Sequence, residues 1–148
     1  MDSVDVKILD LLRRNSRLQA SVISEKVNMS VSAVIERIRK LEASGIIKQY
    51  TTILDAKKLD KDITAFISVR LEHPKYNDLF MEDVKKQSEI IECYYLTGDF
   101  DYLLKIITSS TDTLSELLNL IKSIKGVSLT KTVVVLSTVK NDFSCAPE

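Results

Sequence analysis

The residues best placed to do chemistry are Ser32, Ala33, Glu36, Arg37 and Lys40, and the chemistry they suit is recognition, not bond-making. Their spacing keeps them together on the early turns of one helix. A serine hydroxyl can donate to or accept from several base edges, alanine allows close approach, and Arg37 can reach guanine or a phosphate. The competing reading is a helix whose charges simply face solvent, and Glu36 favours it. Over residues 30–48, Arg37, Arg39, Lys40 and Lys48 stand against Glu36 and Glu42, a surplus of two that is modest for gripping phosphates. Gly98, Asp99 and Asp101 form a second group with two neighbouring carboxylates. Aspartate and glycine are preferred turn formers, so a turn accounts for them without a bound cation. His73 is the only histidine, precedes Pro74, and has no cysteine or acid at metal or triad spacing. With three glycines in all, a phosphate-cradling loop is absent. The sequence therefore predicts no enzyme, no metal site and no cofactor.

The helix that carries the first group needs neighbours to hold it. Val4, Ile8, Leu11 and Leu12 recur at helical spacing, which predicts a first helix starting near Ser3. Leu18, Val22, Ile23 and Val27 repeat the period over barely two turns and predict a short second helix. In Asn28-Met29-Ser30, asparagine tolerates the left-handed conformation and serine can cap the next helix, so a tight turn is specified. Val34, Ile38 and Leu41 then line the inward side of a third helix that stops near Gly45. This is a helix-turn-helix, an arrangement whose second helix enters the DNA major groove.

Residues 46–54, IIKQYTTIL, are β-branched and aromatic and predict a connecting strand, followed by a charged linker. Residues 63–71 alternate with period two, as a strand should. Tyr76, Leu79, Phe80 and Val84 mark a helix over residues 76–87, and IIECYYLT and YLLKIIT read as two strands flanking the Gly98 turn. Leu114, Leu117, Leu118 and Ile121 make an amphipathic helix, with Thr113 and Glu116 at capping-box spacing and Gly126 as its stop. A last strand extends from Ser128 to about Val139. The order βαββαβ predicts an α+β, ferredoxin-like domain with an antiparallel sheet and both helices on one face. Residues 1–48 are thus expected as a helix-turn-helix domain, 49–62 as connecting strand and linker, and 63–148 as the βαββαβ domain. LLKII and VVVL are apolar in both directions, so the uncovered face is expected to pair with a second copy.

The 148 residues are 45% hydrophobic and 28% charged, the composition of a folded protein and not a disordered one. A net charge of zero argues against an indiscriminate polyanion binder. The first 60 residues carry 11 Lys and Arg against 8 Asp and Glu, and the remainder 10 against 13, so any nucleic-acid contact belongs to the first half. Cys93 and Cys145 read as free thiols. No apolar run is long enough to cross a bilayer and the start lacks a signal-peptide pattern, which predicts a cytoplasmic protein without a membrane partner.

Over almost its full length the chain resembles the Lrp/AsnC (leucine-responsive regulatory protein/AsnC) family of transcriptional regulators. The resemblance is carried by VDVKILDLLRRNSRL, MSVSAVIERIRKLEASGIIKQY, ECYYLTGDFDYLLK and GVSLTKTVVVL. It implies operator binding by the helix-turn-helix, with Ser30, Ser32, Ala33, Arg37 and Lys40 on the DNA side. It implies that the second domain binds a small-molecule effector, an amino acid, through Thr97, Gly98, Asp99 and Asp101 of the turn and Thr130 and Thr132 of the last strand. It also implies dimers that assemble further, often into octamers. An aspartate can meet an α-ammonium, while turn N–H groups and threonine hydroxyls can hold a carboxylate. Two departures are Asn28, where glycine is common, and Ala20, where a capping residue is common. A DNA-organising protein of low specificity and an amino-acid-binding metabolic module remain alternatives on the residues alone; the first would show a steep salt slope, the second no DNA binding.

Overall fold

A computed structural model describes all 148 residues. They divide into two compact units, Met1–Ile53 with Lys140–Glu148, and Leu54–Val139.

The first unit is built on α1 (Ser3–Arg14), α2 (Ala20–Val27) and α3 (Val31–Ala43). Helix α1 begins where Asp2 and Asp5 cap each other's backbone N–H groups, and ends on Arg13 and Arg14, which suit the negative end of the helix dipole. Helix α2 starts after Gln19, which makes no side-chain cap; Ala20 is its first residue, not its cap. It stops at Asn28, which is left-handed at φ 54°, as the turn requires. The Ser30 hydroxyl then accepts the Ala33 N–H at 3.2 Å and opens α3. Ile8, Leu12, Ile23, Val34 and Leu41 form the buried core of this unit.

The expected connecting strand is absent: residues 46–54 make no strand, although Tyr50, Ile53 and Leu54 lie exposed. A strand exists only through ladder bonds to a neighbour, and the chain's one sheet, β2-β3-β1-β4, contains no strand from this segment.

The second unit contains β1 (Ile63–Leu71), α4 (Asn77–Lys85), β2 (Ile90–Tyr95), β3 (Tyr102–Thr108), α5 (Thr111–Ser123) and β4 (Val127–Val134). The strands lie in the order β2-β3-β1-β4, with every adjacent pair antiparallel. This is the α+β, βαββαβ arrangement expected from the sequence. Ala65, Ile67, Val69 and Leu71 of β1 and Leu104 and Ile106 of β3 pack on Phe80 and Val84 of α4 and Leu114, Leu117 and Ile121 of α5.

Three boundaries differ from the sequence reading. A 3₁₀ turn over Pro74–Tyr76, capped by His73 Nδ1 accepting from the Lys75 N–H, precedes α4, so the lone histidine serves the backbone. Helix α5 begins one turn earlier than Thr113 and Glu116 suggest, because Ser110 and Thr113 form the capping box. Strand β4 ends at Val134, not near Val139: β1 begins at Ile63, and past the Val135 N–H bond to the Thr64 carbonyl there is no partner left.

The opposite sheet face carries Phe66, Leu103 and Ile107, half-buried, with Tyr94, Leu129 and Val133 exposed. At its middle Lys105 Nζ meets Glu92 Oε2 at 3.5 Å across β2 and β3.

Candidate nucleic-acid interface and ligand turn

Helix α3 turns Val34 and Leu41 into the core and leaves Ser32, Ile35, Glu36, Arg39 and Lys40 exposed, with Ala33 half-buried beside them. Ser30 Oγ lies 3.2 Å from Ser32 Oγ, so the first turn of α3 presents two hydroxyls together. Of the side chains expected at a duplex, Ser30, Ser32 and Ala33 lie at this leading end, and Lys40 is exposed in the last turn of the same helix.

Arg37 departs from that expectation. Its Nη1 donates to both Asp2 oxygens at 2.9 and 2.8 Å and to Asp5 Oδ1 at 2.8 Å, and its side chain is only 28% exposed. The two acids are the capping box of α1, so their backbone N–H bonds and then Arg37 hold their carboxyls below the usual range, Asp2 at about 2. In return the acids push the guanidinium of Arg37 up. The arginine that remains accessible is Arg39, 77% exposed and only loosely paired with Glu36 at 3.8 Å. Sequence reasoning counted Arg39 only in the local charge balance and did not single out the apolar Ile35. Their three-residue spacing from Glu36 and Ser32 was the available signal, since it places them on the outward stripe. Near the other end of α3, the Tyr50 hydroxyl donates to Glu42 at 2.8 Å; burial and that carboxylate push the phenol up to about 12.

In the second unit, residues 96–101 join β2 to β3 and are closed by the Leu96 N–H donating to the Asp101 carbonyl at 2.7 Å. Gly98 has φ +101°, a conformation side chains resist, and Thr97, Gly98 and Asp99 are exposed. Asp101 Oδ2 accepts the Leu71 N–H at 2.7 Å and thereby ties the turn to the end of β1. Arg70, also missed in the sequence, donates Nε to the Asp99 carbonyl at 2.7 Å and lies over the Phe100 ring at 5.5 Å. Only the fold brings it there; no local pattern links it to the turn.

Thr130 and Thr132 stand opposite Val69 and Ile67, so they lie on the helix-covered face of β4 with β1 between them and β3. Thr130 lines an open depression of about 360 Å³ with Lys122, Val127, Ser128 and Leu129, which excludes the turn. One chain therefore does not gather the turn and the threonines into a single pocket.

A three-helix reader with an accessible leading turn, followed by a separate antiparallel α+β unit bearing an exposed polar turn, defines a class: DNA-binding regulators with a distinct ligand domain. Residues 1–48 match the family described as winged helix-turn-helix DNA-binding, and residues 64–144 match the Lrp/AsnC ligand binding domain. The chain belongs to the Lrp/AsnC family of transcriptional regulators, DNA-binding proteins and not enzymes.

It is 39% identical over 140 residues to the HTH-type transcriptional regulator FL11 of Pyrococcus horikoshii, covering 95% of this chain and 92% of that one. It is 39% identical over 139 residues to the glutamate uptake regulatory protein of Zymomonas mobilis, covering 93% and 84%. Among solved structures, the transcriptional regulator NMB0573 of Neisseria meningitidis in complex with L-Met superposes with a TM-score of 0.93 at 32% identity, covering 98% of this chain and 96% of that one. The match of residues 1–48 carries the word winged, yet no strand precedes β1 in this chain. No helix is long and apolar enough to cross a membrane.

Proposed function

We propose that two copies pair through the open face of the sheet, display two α3 helices to operator half-sites, and shift assembly or DNA affinity when an amino acid binds near the 96–101 turn. The reading places the protein in the cytoplasm, with duplex DNA as partner, and leaves room for tetramers or octamers. Its DNA half is supported by one observation above others, the exposure of Ser32, Ile35, Arg39 and Lys40 along one side of a capped, core-anchored helix. Serine hydroxyls and the Ser30 cap suit phosphate or base edges, Lys40 and Arg39 suit phosphates, and Ile35 and Ala33 suit a thymine methyl. The ligand half draws on the exposed Thr97-Gly98-Asp99 turn and on the L-Met bound by the Neisseria regulator. Asp99 offers a carboxylate to an α-ammonium, Arg70 adds a guanidinium for a carboxylate, and Asp101 holds the turn in shape. Thr130 and Thr132 lie on the helix-covered face, so they would join this ligand only from a further copy and not across the open-face pairing.

A mobility-shift titration on a duplex selected from a random pool, with each of the twenty amino acids added in turn, tests both halves. Lys40→Ala should weaken binding on selected and unselected duplexes alike and lower the salt slope by about 1. Asp99→Ala should abolish the amino-acid response while leaving effector-free DNA affinity intact. A chain that ignores duplexes in dilute buffer removes the regulatory reading; a fully responsive Asp99→Ala variant removes the turn.

A further inference from the structure

We infer that Arg37 is a positioning residue that reads no base: with Asp2 and Asp5 it fixes the rotation of α3 against the start of α1 and so aims the side chains that do read. The inference rests on α3 being the DNA-reading helix. Four observations converge on it. Arg37 lies in the second turn of α3, and its one Nη1 nitrogen engages three carboxylate oxygens between 2.8 and 2.9 Å. Those oxygens belong to residues already immobilised by the α1 capping box, where Asp2 Oδ1 takes the Val4 and Asp5 N–H groups and Asp5 Oδ2 takes the Asp2 N–H. The pair spans a sequence separation of 35 residues, so it joins two elements and does not merely decorate one helix. Finally, two carboxylates against one guanidinium leave a residual negative charge.

That residual charge separates the alternatives. A guanidinium serving DNA would have to leave two ionised partners behind, close to a polyanion, and both departures are unfavourable. A guanidinium that stays put costs nothing on binding and keeps Ser32, Ala33 and Lys40 at a fixed angle to the groove. Contacts of this kind act by holding readers within a small angular tolerance.

The experiment uses the full chain and compares Arg37→Gln, the double variant Asp2→Asn with Asp5→Asn, and all three changes together. Asparagine is as good a helix cap as aspartate, so the acid variants remove the ion pair and spare the start of α1. Circular dichroism melts check that each variant is folded at the assay temperature. Affinity is measured across a salt series on a duplex selected by the unaltered chain and on a scrambled duplex of the same composition.

Positioning predicts that Arg37→Gln and the double acid variant each lose about tenfold on the selected duplex, and that the triple variant loses no more than either. The salt slope should not move, and the scrambled duplex should bind the acid variants as well as or better than the original. Direct reading predicts the reverse: the acid variants hold or gain affinity on the selected duplex, and Arg37→Gln in their background loses a full contact. A phosphate contact would show as a fall of about 1 in the slope for Arg37→Gln. Either result overturns the inference while leaving the regulator reading intact, whereas failure of the unaltered chain to select any duplex defeats the regulator reading itself.

Discussion

Asp2 and Asp5 each accept hydrogen bonds from two directions, the backbone that opens α1 and the guanidinium of Arg37, and this double duty sets how the helical unit answers acid. Both carboxyls are depressed in the folded chain, Asp2 from 3.8 to about 2, chiefly by the Asp5 N–H and then by Arg37. A depressed acid contributes stability that is complete above its unfolded value and disappears as the pH falls through the folded one. The contribution here should be intact above about pH 4 and lost towards pH 2, with its size kept small by exposure to water. Carboxyl carbon chemical shifts followed by NMR should give Asp2 a midpoint near 2, and a midpoint at 3.8 would mean the clamp does not form in solution. The sequence shows each of these three side chains plainly and none of their meeting. Arg37 sits among residues suited to DNA, and only the packing of α1 against α3 reveals that its charge is already spent.

At the scale of elements, local chemistry spoke most clearly where the backbone had a single solution. Asn28 and Ser30 specify the turn and cap between α2 and α3, and both are found in those roles. The alternating runs of β1 and β3 bury every second residue, which fixes their faces before any partner is known. Ends were less legible, because a strand stops where its neighbour stops: Val135 onward is as β-prone as the residues before it. Thr113 and Glu116 mimicked a capping box although Ser110 had the prior claim.

Gly126 read as a helix stop, but its demands are larger. It has φ +95°, and a Cβ there would fall within the Tyr76 side chain at Cγ, Cδ2 and Cβ. Gly126→Ala should therefore cost about 2–4 kcal/mol, combining left-handed strain with overpacking. Denaturant unfolding measures that loss, and Tyr76→Gly in the same chain, which removes the clashing Cβ along with the ring, should recover the steric part; equal losses with and without the Tyr76 side chain would show that strain alone operates.

For the whole molecule, the open face of the sheet is the feature that one chain leaves unfinished. Leu129 and Val133 are close to half exposed there, so replacing either by aspartate removes little from the folded monomer yet places a charge where a second copy would press. Sedimentation should find the unaltered chain as a dimer or larger and Val133→Asp as a folded monomer. A variant that assembles normally would move the interface elsewhere, to surfaces such as the exposed Tyr50, Ile53 and Leu54. The candidate ligand site was half legible for the same reason. The turn residues are contiguous in sequence and Thr130 is not joined to them by anything within one subunit. The Glu92–Lys105 pair at the middle of that face carries a thermal consequence. Packing a second sheet over it strips both ions of hydration, a penalty that shrinks on warming because ordered water around charges is released at an ever smaller cost. If two copies pair through this face, they should hold together better in heat than purely aliphatic contacts of equal area would suggest.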